Sequence, residues 1–239
     1  MTVKLEVVQD PAAACAAMIV SAAIGGGEVV LAGGSTPRAA YEHLVDTIRA
    51  VGLDLGATRF WLGDERCVEP EDDRSNYGMI KASLLDPLAS LTQPDVRRIK
   101  GELGPELAAE DYERELRDAG PPEFDLVLLG IGPDGHTASL FPDQSSLSMG
   151  SRSVVGVPEA GLEPFVPRVS LTLAALTASR HVVVLASGQS KAEAIARAFG
   201  PDAVADPHVP ASMLAPEAER ITVLLDGTAA SRLPCSGRR

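Results

Sequence analysis

The sequence predicts an α/β fold built on a largely parallel β-sheet that helices cover on both faces. Two observations predict it. Short apolar segments alternate with helical segments along the chain, and Asp125–Ile131 is apolar at every position after its first. Strands buried on both faces have this pattern. The Pro- and Gly-rich stretches are too short to be flexible linkers, so we expect residues 1–239 to form one domain.

Local signals predict the individual elements. Asp10 and Pro11 are suitable N-cap and N1 residues for a helix that ends at Gly25. Further helices are predicted from Pro37 to about Ala50 and over Ser75–Leu85, Glu106–Leu116 and Gln189–Phe199. The predicted strands are Lys4–Val8, Glu28–Ala32, Arg59–Leu62, Asp125–Ile131, Ser153–Val157, Arg168–Leu173, His181–Ala186 and Ile221–Leu225.

Charge and composition exclude several classes of protein. The chain has 33 acidic and 21 basic residues, a net charge of −12, so we expect neither nucleic acid nor a membrane as partner. The apolar stretch Ala12–Ile24 is too short to span a bilayer, and the N-terminus does not resemble a signal peptide. Cys15, Cys67 and Cys235 are odd in number and widely spaced, which favours free thiols. We expect a cytoplasmic monomer.

Three predicted strands are followed by unusual polar sequences, which should lie side by side because ligands bind at the carboxyl ends of parallel strands. The first is Gly33-Gly34-Ser35-Thr36, followed by Pro37. The glycines allow close backbone approach, Ser35 or Thr36 can cap the next helix, and that helix N-terminus favours an anion such as phosphate. The alternative is an ordinary glycine turn before a capped helix.

The second segment is Gly63-Asp64-Glu65-Arg66, which places three charges at the end of a strand. Packing alone does not account for three charges at this position, whereas the binding of a polar substrate does. Asp64 and Arg66 are therefore candidate site residues, the alternative being a solvated loop with a local ion pair. Downstream, Ser75 is a predicted N-cap, and Asn76 is close enough along the chain to reach a ligand.

The third segment contains a G-x-G-x-x-G pattern, at Gly130, Gly132 and Gly135. A dinucleotide site is rejected because the pattern must lead into a long helix, and Pro142 limits any helix here to about two turns. What remains is a glycine-rich turn that presents His136, with Asp134 two residues earlier. Histidine is the natural general base near neutral pH, and a carboxylate can fix its tautomer.

The other histidines and two isolated cations complete the candidates. The remaining histidines, His43, His181 and His208, are expected to be structural or solvated. Arg168 begins a strand, and Lys191 lies where a strand turns into a helix. Either cation can complete a phosphate site with the Gly33–Thr36 loop, the alternative for each being a surface charge.

Together these segments resemble the 6-phosphogluconolactonase family. The matching stretches occur in family order between residues 31 and 230: LAGGSTPRAAY, FWLGDERCVEPEDDRSNYGM, FDLVLLGIGPDGHTASLFP, RVSLTLAAL, ASGQSKAEAI, PASML and ITVLLDGTAA. The resemblance implies an open, Rossmann-like three-layer sandwich, as in glucosamine-6-phosphate deaminases and ribose-5-phosphate isomerases. It also implies hydrolysis of 6-phospho-D-glucono-1,5-lactone, in the oxidative pentose phosphate pathway.

The resemblance also implies roles for the candidate residues. His136 would be the base, and Asp64 and Arg66 would line the sugar site. Gly34, Ser35 and Thr36, with Arg168 and Lys191, would hold the phosphate. No cofactor is expected, and no metal, because the sequence lacks a set of ligands with the usual spacing. The oxyanion donor is open between a backbone N–H of the Gly132–Gly135 turn and Arg66.

Two rival functions are considered. In the related deaminases the histidine precedes a run that includes a glutamate for ring opening, whereas His136 precedes Thr137-Ala138-Ser139-Leu140-Phe141-Pro142. The absence of an acid there favours the lactonase. The second rival, a sugar-phosphate sensor domain, would need a DNA-binding helix-turn-helix. The acidic charge of the chain opposes DNA binding and therefore this alternative.

Overall fold

The computed structural model describes residues 2–120 and 123–234. Its strands are β1 (Thr2–Val7), β2 (Glu28–Leu31), β3 (Arg59–Leu62), β4 (Asp64–Arg66), β5 (Asp95–Arg97), β6 (Leu126–Leu129), β7 (Val154–Val157), β8 (Arg168–Leu171), β9 (Val182–Ala186) and β10 (Arg220–Leu225). Its α-helices are α1 (Pro11–Ala23), α2 (Ser35–Val51), α3 (Asn76–Ile80), α4 (Asp86–Leu88), α5 (Pro105–Asp118), α6 (Leu173–Thr177) and α7 (Ala192–Phe199).

The main sheet confirms the predicted α/β class. Its seven strands pair in parallel in the order β1-β10-β9-β6-β2-β3-β5. Every residue of β6 and β9 is buried, as expected for strands covered on both faces. The strands before the three unusual segments, β2, β3 and β6, are neighbours in this order, so their carboxyl ends meet at one edge.

Three strands form a second, antiparallel sheet in the order β4-β8-β7. The sequence analysis did not separate these strands from the main sheet. The segment Asp64–Arg66, predicted only to follow the end of a strand, forms β4 and pairs with β8. Strand β8 ends at Leu171 and not at Leu173, because Thr172 caps α6 by accepting a hydrogen bond from Ala175 N. The missed strand Asp95–Arg97 has only three residues, all partly exposed, and hence no apolar pattern.

The helix starts show which capping predictions were right. Asp10 accepts a hydrogen bond from Ala13 N and so caps α1 as predicted. The prediction that Ser35 or Thr36 caps α2 was wrong, because the helix begins at Ser35 and its N-cap is Gly34, at φ 109°. A cap without a side chain leaves both hydroxyls available to a ligand.

The predicted helices Ser75–Leu85 and Gln189–Phe199 are only partly α-helical. Ser75 caps α3, but residues 81–85 form a π-helical turn. Pro87 is the physical reason, since it has no N–H to donate and its ring displaces the carbonyl one turn earlier. Residues 189–191 form a 3₁₀ turn before α7.

The core and the cysteines complete the comparison with the sequence. The large buried side chains Trp61, Tyr41 and Tyr112 lie between the main sheet and its helices. Cys15 and Cys67 are free thiols, as predicted, and Cys235 lies outside the described residues. Within the described residues, no helix has both the length and the apolar character needed to cross a membrane.

Candidate active site

A cleft of about 270 Å³ opens at the carboxyl ends of β2, β3, β6 and β9. Ten of the eleven predicted site residues line it: Gly33, Gly34, Ser35, Thr36, Asp64, Arg66, Asn76, His136, Arg168 and Lys191. The eleventh, Asp134, contacts the His136 side chain. The structure thus brings together groups that the sequence separates by up to 158 residues, the difference between positions 33 and 191.

His136 and Asp134 form a close pair. The distance from His136 Nδ1 to Asp134 Oδ1 is 2.6 Å, and the same carboxylate oxygen accepts from His136 N at 3.2 Å. Burial disfavours the ionised Asp134, but the hydrogen bonds and charge of His136 outweigh it, so the pKa of Asp134 is lowered. An ionised carboxylate only accepts hydrogen bonds, so Nδ1 carries the proton and Nε2 has the free lone pair.

The glycines of the turn are required by close contacts. A Cβ on Gly132 would lie 2.1 Å from His136 Nδ1 and 2.4 Å from Asp134 Oδ1. Gly135 has φ +90°, where a side chain is strained, and a Cβ there would lie 2.7 Å from Val209 Cγ1. The turn is closed by its own hydrogen bonds, from Gly132 N to His136 O and from Gly135 N to Gly132 O.

Asp64 is held by neutral donors from two other parts of the site. Ser139 Oγ donates to Asp64 Oδ2 at 2.5 Å, and Asn76 Nδ2 donates to Asp64 Oδ1 at 3.2 Å and to its carbonyl at 3.0 Å. The same amide packs against the first loop, because a Cβ on Gly33 would lie 1.9 Å from Asn76 Oδ1. Asn76, predicted to bind substrate, therefore also joins the segments after β2 and β3.

Glu65 and Ser139 were missed as site-building residues in the sequence analysis. The Glu65 carboxylate is buried and accepts four hydrogen bonds, from Arg66 N, Asn76 N, Tyr77 N and Ser75 Oγ. Burial raises the pKa of Glu65, although those four donors oppose the shift. Glu65 fixes the backbone on both sides of the site, at Arg66 and at Asn76. The alternation that turns Glu65 away from its neighbours Asp64 and Arg66 becomes visible only once β4 is known to be a strand.

The cleft contains two arginines on adjacent antiparallel strands. Arg66 on β4 pairs in register with Arg168 on β8. Burial and the nearby charge of Arg66 lower the pKa of Arg168, although Asp64 and Glu65 oppose the shift. Two guanidinium groups this close favour an anion in the cleft.

Both guanidinium groups are anchored through backbone carbonyls. Arg66 Nη1 donates to Arg74 O at 2.5 Å, whereas its Nε is buried and has no hydrogen-bond partner among the described residues. Arg168 Nε and Nη2 donate to Val166 O and Pro164 O at 3.0 and 2.7 Å. The Arg66 Nε–H is therefore an unpaired donor, among the described residues, on a side chain that lines the cleft.

The first loop and Lys191 also face the cleft. The N-terminus of the 17-residue helix α2 opens there at Ser35, without a side-chain cap. Its first-turn N–H groups and its dipole favour an anion. Lys191 is half-buried, and burial lowers its pKa against the opposing charge of Asp134, which is close by.

The residues fit a chemistry that needs no resident metal. Within residues 2–120 and 123–234, no group of three or more His, Cys, Asp or Glu side chains is arranged to hold a metal ion. What the cleft combines is an oriented imidazole, a fixed N–H donor and several cations. This set can activate water and stabilise an oxyanion on an anionic substrate.

A family model described as glucosamine-6-phosphate isomerases/6-phosphogluconolactonase matches residues 4–223. The chain belongs to this family. The 6-phosphogluconolactonase of Streptomyces coelicolor is 36% identical over 224 residues, which is 89% of this chain and 84% of that protein. The match confirms the family predicted from the sequence.

Solved structures of this family have the same fold. The 6-phosphogluconolactonase of Trypanosoma brucei superposes with a TM-score of 0.83 at 28% identity, covering 98% of this chain and 99% of that one. A monomeric glucosamine-6-phosphate deaminase gives a TM-score of 0.84 at 21% identity, covering 97% of this chain and all of that chain. This second likeness concerns the fold alone, and it confirms the predicted relation to the deaminase fold.

Proposed function

We propose that the chain hydrolyses 6-phospho-D-glucono-1,5-lactone to 6-phospho-D-gluconate, the lactone step of the oxidative pentose phosphate pathway, with His136 as general base. The observation that carries the proposal is the His136–Asp134 pair, 2.6 Å apart, because Asp134 contacts Nδ1 and His136 lines a cleft that also contains cations. The names of the family relatives support the substrate.

In the proposed reaction, His136 Nε2 removes a proton from water as the water oxygen attacks the lactone carbonyl carbon. The bond to the ring oxygen then breaks, and His136 returns the proton to that leaving oxygen. Asp134 keeps the imidazole in the required tautomer and stabilises its protonated form. Atoms balance without a co-reactant, because one water is consumed and the product is a hydroxy acid.

Of the two oxyanion donors left open by the sequence, the geometry favours Arg66. The N–H groups of Gly132 and Gly135 are used within the turn, that of Asp134 faces its own carboxylate, and Pro133 has none. Arg66 lines the cleft, and its Nε has no partner among the described residues. A donor held in place before the reaction lowers the barrier most effectively.

The phosphate is proposed to bind between the N-terminus of α2 and the cations Arg168 and Lys191. Gly33, Gly34, Ser35 and Thr36 contribute N–H groups and hydroxyls. Asp64, fixed by Ser139 and Asn76, is a hydrogen-bond acceptor for sugar hydroxyls. These roles divide the cleft into a phosphate end, which sets affinity, and a reacting end, which sets the rate.

The test is the rate of lactone opening above the spontaneous background, for the phosphorylated lactone and for gluconolactone without phosphate. Wild-type protein should prefer the phosphorylated substrate by at least tenfold in kcat/KM, roughly 1.4 kcal/mol. Lys191→Ala should lose most of that preference, whereas Lys4→Ala, on the far edge strand, should keep it. Equal turnover of both lactones by the wild type would refute the phosphate site.

Two further measurements separate the proposal from its rivals. Ammonia release from glucosamine 6-phosphate would indicate a deaminase, and binding without turnover would indicate a sensor.

Catalysis is proposed to be independent of metal, so prolonged chelation should change the rate by less than about twofold. We also propose that the protein acts as a cytoplasmic monomer, which light scattering and cell fractionation test.

A further inference from the structure

Two fully buried tyrosines lie beside the strands that lead into the site. Tyr41 is on α2 and Tyr112 is on α5, and both side chains are within 1% of complete burial. Neither tyrosine lines the cleft. Each instead makes a pair of hydrogen bonds to the backbone of one strand-end residue.

Tyr41 binds the backbone immediately before the first loop. Its hydroxyl accepts from Ala32 N at 2.9 Å and donates to Ala32 O at 2.7 Å. Ala32 follows β2, and the pairing of β2 with β6 ends at Val30. A sheet partner for Ala32 is therefore missing on that side, and the hydroxyl takes its place.

Tyr112 has the same arrangement one strand further along. Its hydroxyl accepts from Leu62 N at 2.9 Å and lies within 3.1 Å of Leu62 O and 3.2 Å of Arg97 O, which share its proton. The pairing of β3 with β5 ends at Trp61 and Arg97. This hydroxyl therefore sits where the two strands separate, just before Gly63 and Asp64.

A phenol suits this position because it has one donor and two acceptor sites, which match one N–H and one C=O. Burial raises the pKa of both Tyr41 and Tyr112, so both hydroxyls stay protonated and keep their donor. Immediately after each of these strand ends the chain leaves the sheet through a glycine, Gly33 or Gly63. A fixed strand end is what gives each loop a defined direction.

We propose that Tyr41 and Tyr112 are positioning residues for the two ends of the cleft: Tyr41 for the phosphate loop and Tyr112 for the Asp64–Arg66 segment. The inference rests on the proposed function for the roles of those two segments. Each hydroxyl acts on one segment. Loss of the Tyr41 hydroxyl should therefore affect the affinity for the phosphorylated lactone, and loss of the Tyr112 hydroxyl should affect the rate. Both residues act through the backbone and touch no reacting atom.

The test removes each hydroxyl while keeping its ring. Tyr41→Phe should raise KM for the phosphorylated lactone about three- to tenfold with kcat within about twofold, since both hydrogen bonds that fix Ala32 are lost. Tyr112→Phe should lower kcat by about the same factor with KM nearly unchanged. Tyr77→Phe is the control, because this third tyrosine holds Glu65 only through its backbone N–H, which the substitution keeps, and its ring stacks against Arg98. It should leave both constants unchanged.

A readout that needs no turnover keeps the inference separate from the proposed function. In wild-type protein the amides of Ala32 and Leu62 should exchange with solvent as slowly as the ladder amides of Val30 and Trp61. Each Phe variant should speed exchange at its own strand end only. Rapid exchange of both amides in the wild type, or parallel changes of KM and kcat in both variants, would overturn the inference. Slow exchange without any lactone turnover would refute only the function.

Discussion

The molecule contains two histidine–aspartate pairs with the same separation. His136 Nδ1 is 2.6 Å from Asp134 Oδ1, and His208 Nδ1 is 2.6 Å from Asp143 Oδ1. Their surroundings differ: the first two side chains are 20% and 28% exposed, and the second two are 66% and 59% exposed. Only His136 lines the cleft. The pair by itself therefore does not define a catalytic site.

What distinguishes the two pairs is the support around them. His136 belongs to a turn that its own hydrogen bonds close, and Phe141 packs against its ring with 4.8 Å between centroids. His208 lies on the surface, where Asp143 raises its pKa by accepting a hydrogen bond. A solvated pair of this kind contributes little, because water competes for both groups. In the proposed reaction, burial and a closed turn are what would allow the first pair, and not the second, to act as a base.

The largest expected effect comes from removing the two imidazoles in turn. His136→Ala should lose roughly two to four decades of lactone opening, the usual contribution of a general base. His208→Ala should keep the wild-type rate, since its side chain is exposed and outside the cleft. Initial rates must be corrected for spontaneous opening. If the two variants rank in the opposite order, the base has been assigned to the wrong pair.

Replacing the carboxylates tests the tautomer. Asp134→Asn removes the charge and can present an NH₂ group to Nδ1, which would move the ring proton to Nε2 and block the base. We expect a loss of roughly one to three decades in kcat, smaller than for loss of the ring. Asp143→Asn is the matched control at the surface pair and should be silent. Full activity of Asp134→Asn would show that the carboxylate does not orient the base.

The contacts of Gly132 lead to a smaller effect. In Gly132→Ala the new methyl would meet His136 Nδ1 at 2.1 Å, so the ring must move. We expect about a tenfold loss of kcat, because part of the displacement can be relieved by the side chain. Gly227→Ala has nothing within 4 Å of its Cβ and serves as the control. A wild-type rate for Gly132→Ala would mean that the close packing of this pair is not needed.

Sequence reasoning predicted these local features because their signals are local. The strand ends, the glycine turn and the cap at Ser75 each follow from a few adjacent residue types. The antiparallel sheet that brings Arg66 beside Arg168 depends on pairing between segments 102 residues apart, from 66 to 168, which no short pattern contains. Glu65 was missed for the same reason, since three of its four donors come from residues 75–77.

The smallest expected effect concerns stability and pH at the surface pair. The folded-state pKa of His208 is raised, by the hydrogen bond and charge of Asp143. A raised pKa stabilises the folded protein fully below the unfolded pKa of histidine, about 6.5, and the contribution is lost as pH rises through the folded value. The urea concentration at the midpoint of unfolding should therefore be slightly higher for the wild type than for His208→Gln near pH 5. The two midpoints should coincide near pH 9.

The part-buried pair of His136 and Asp134 should respond in the opposite direction. The lowered pKa of Asp134 gives stability above the unfolded pKa of an aspartate, which is lost only as pH falls through the lowered value. The stability difference between wild type and Asp134→Asn should therefore persist near pH 9, where that of His208→Gln has disappeared. Added salt at about 1 M should also remove the His208 difference, because the pair is solvated, and should leave most of the Asp134 difference. If both differences vanished together at high pH or in salt, the two pairs would be electrostatically equivalent, and burial would not be what sets them apart.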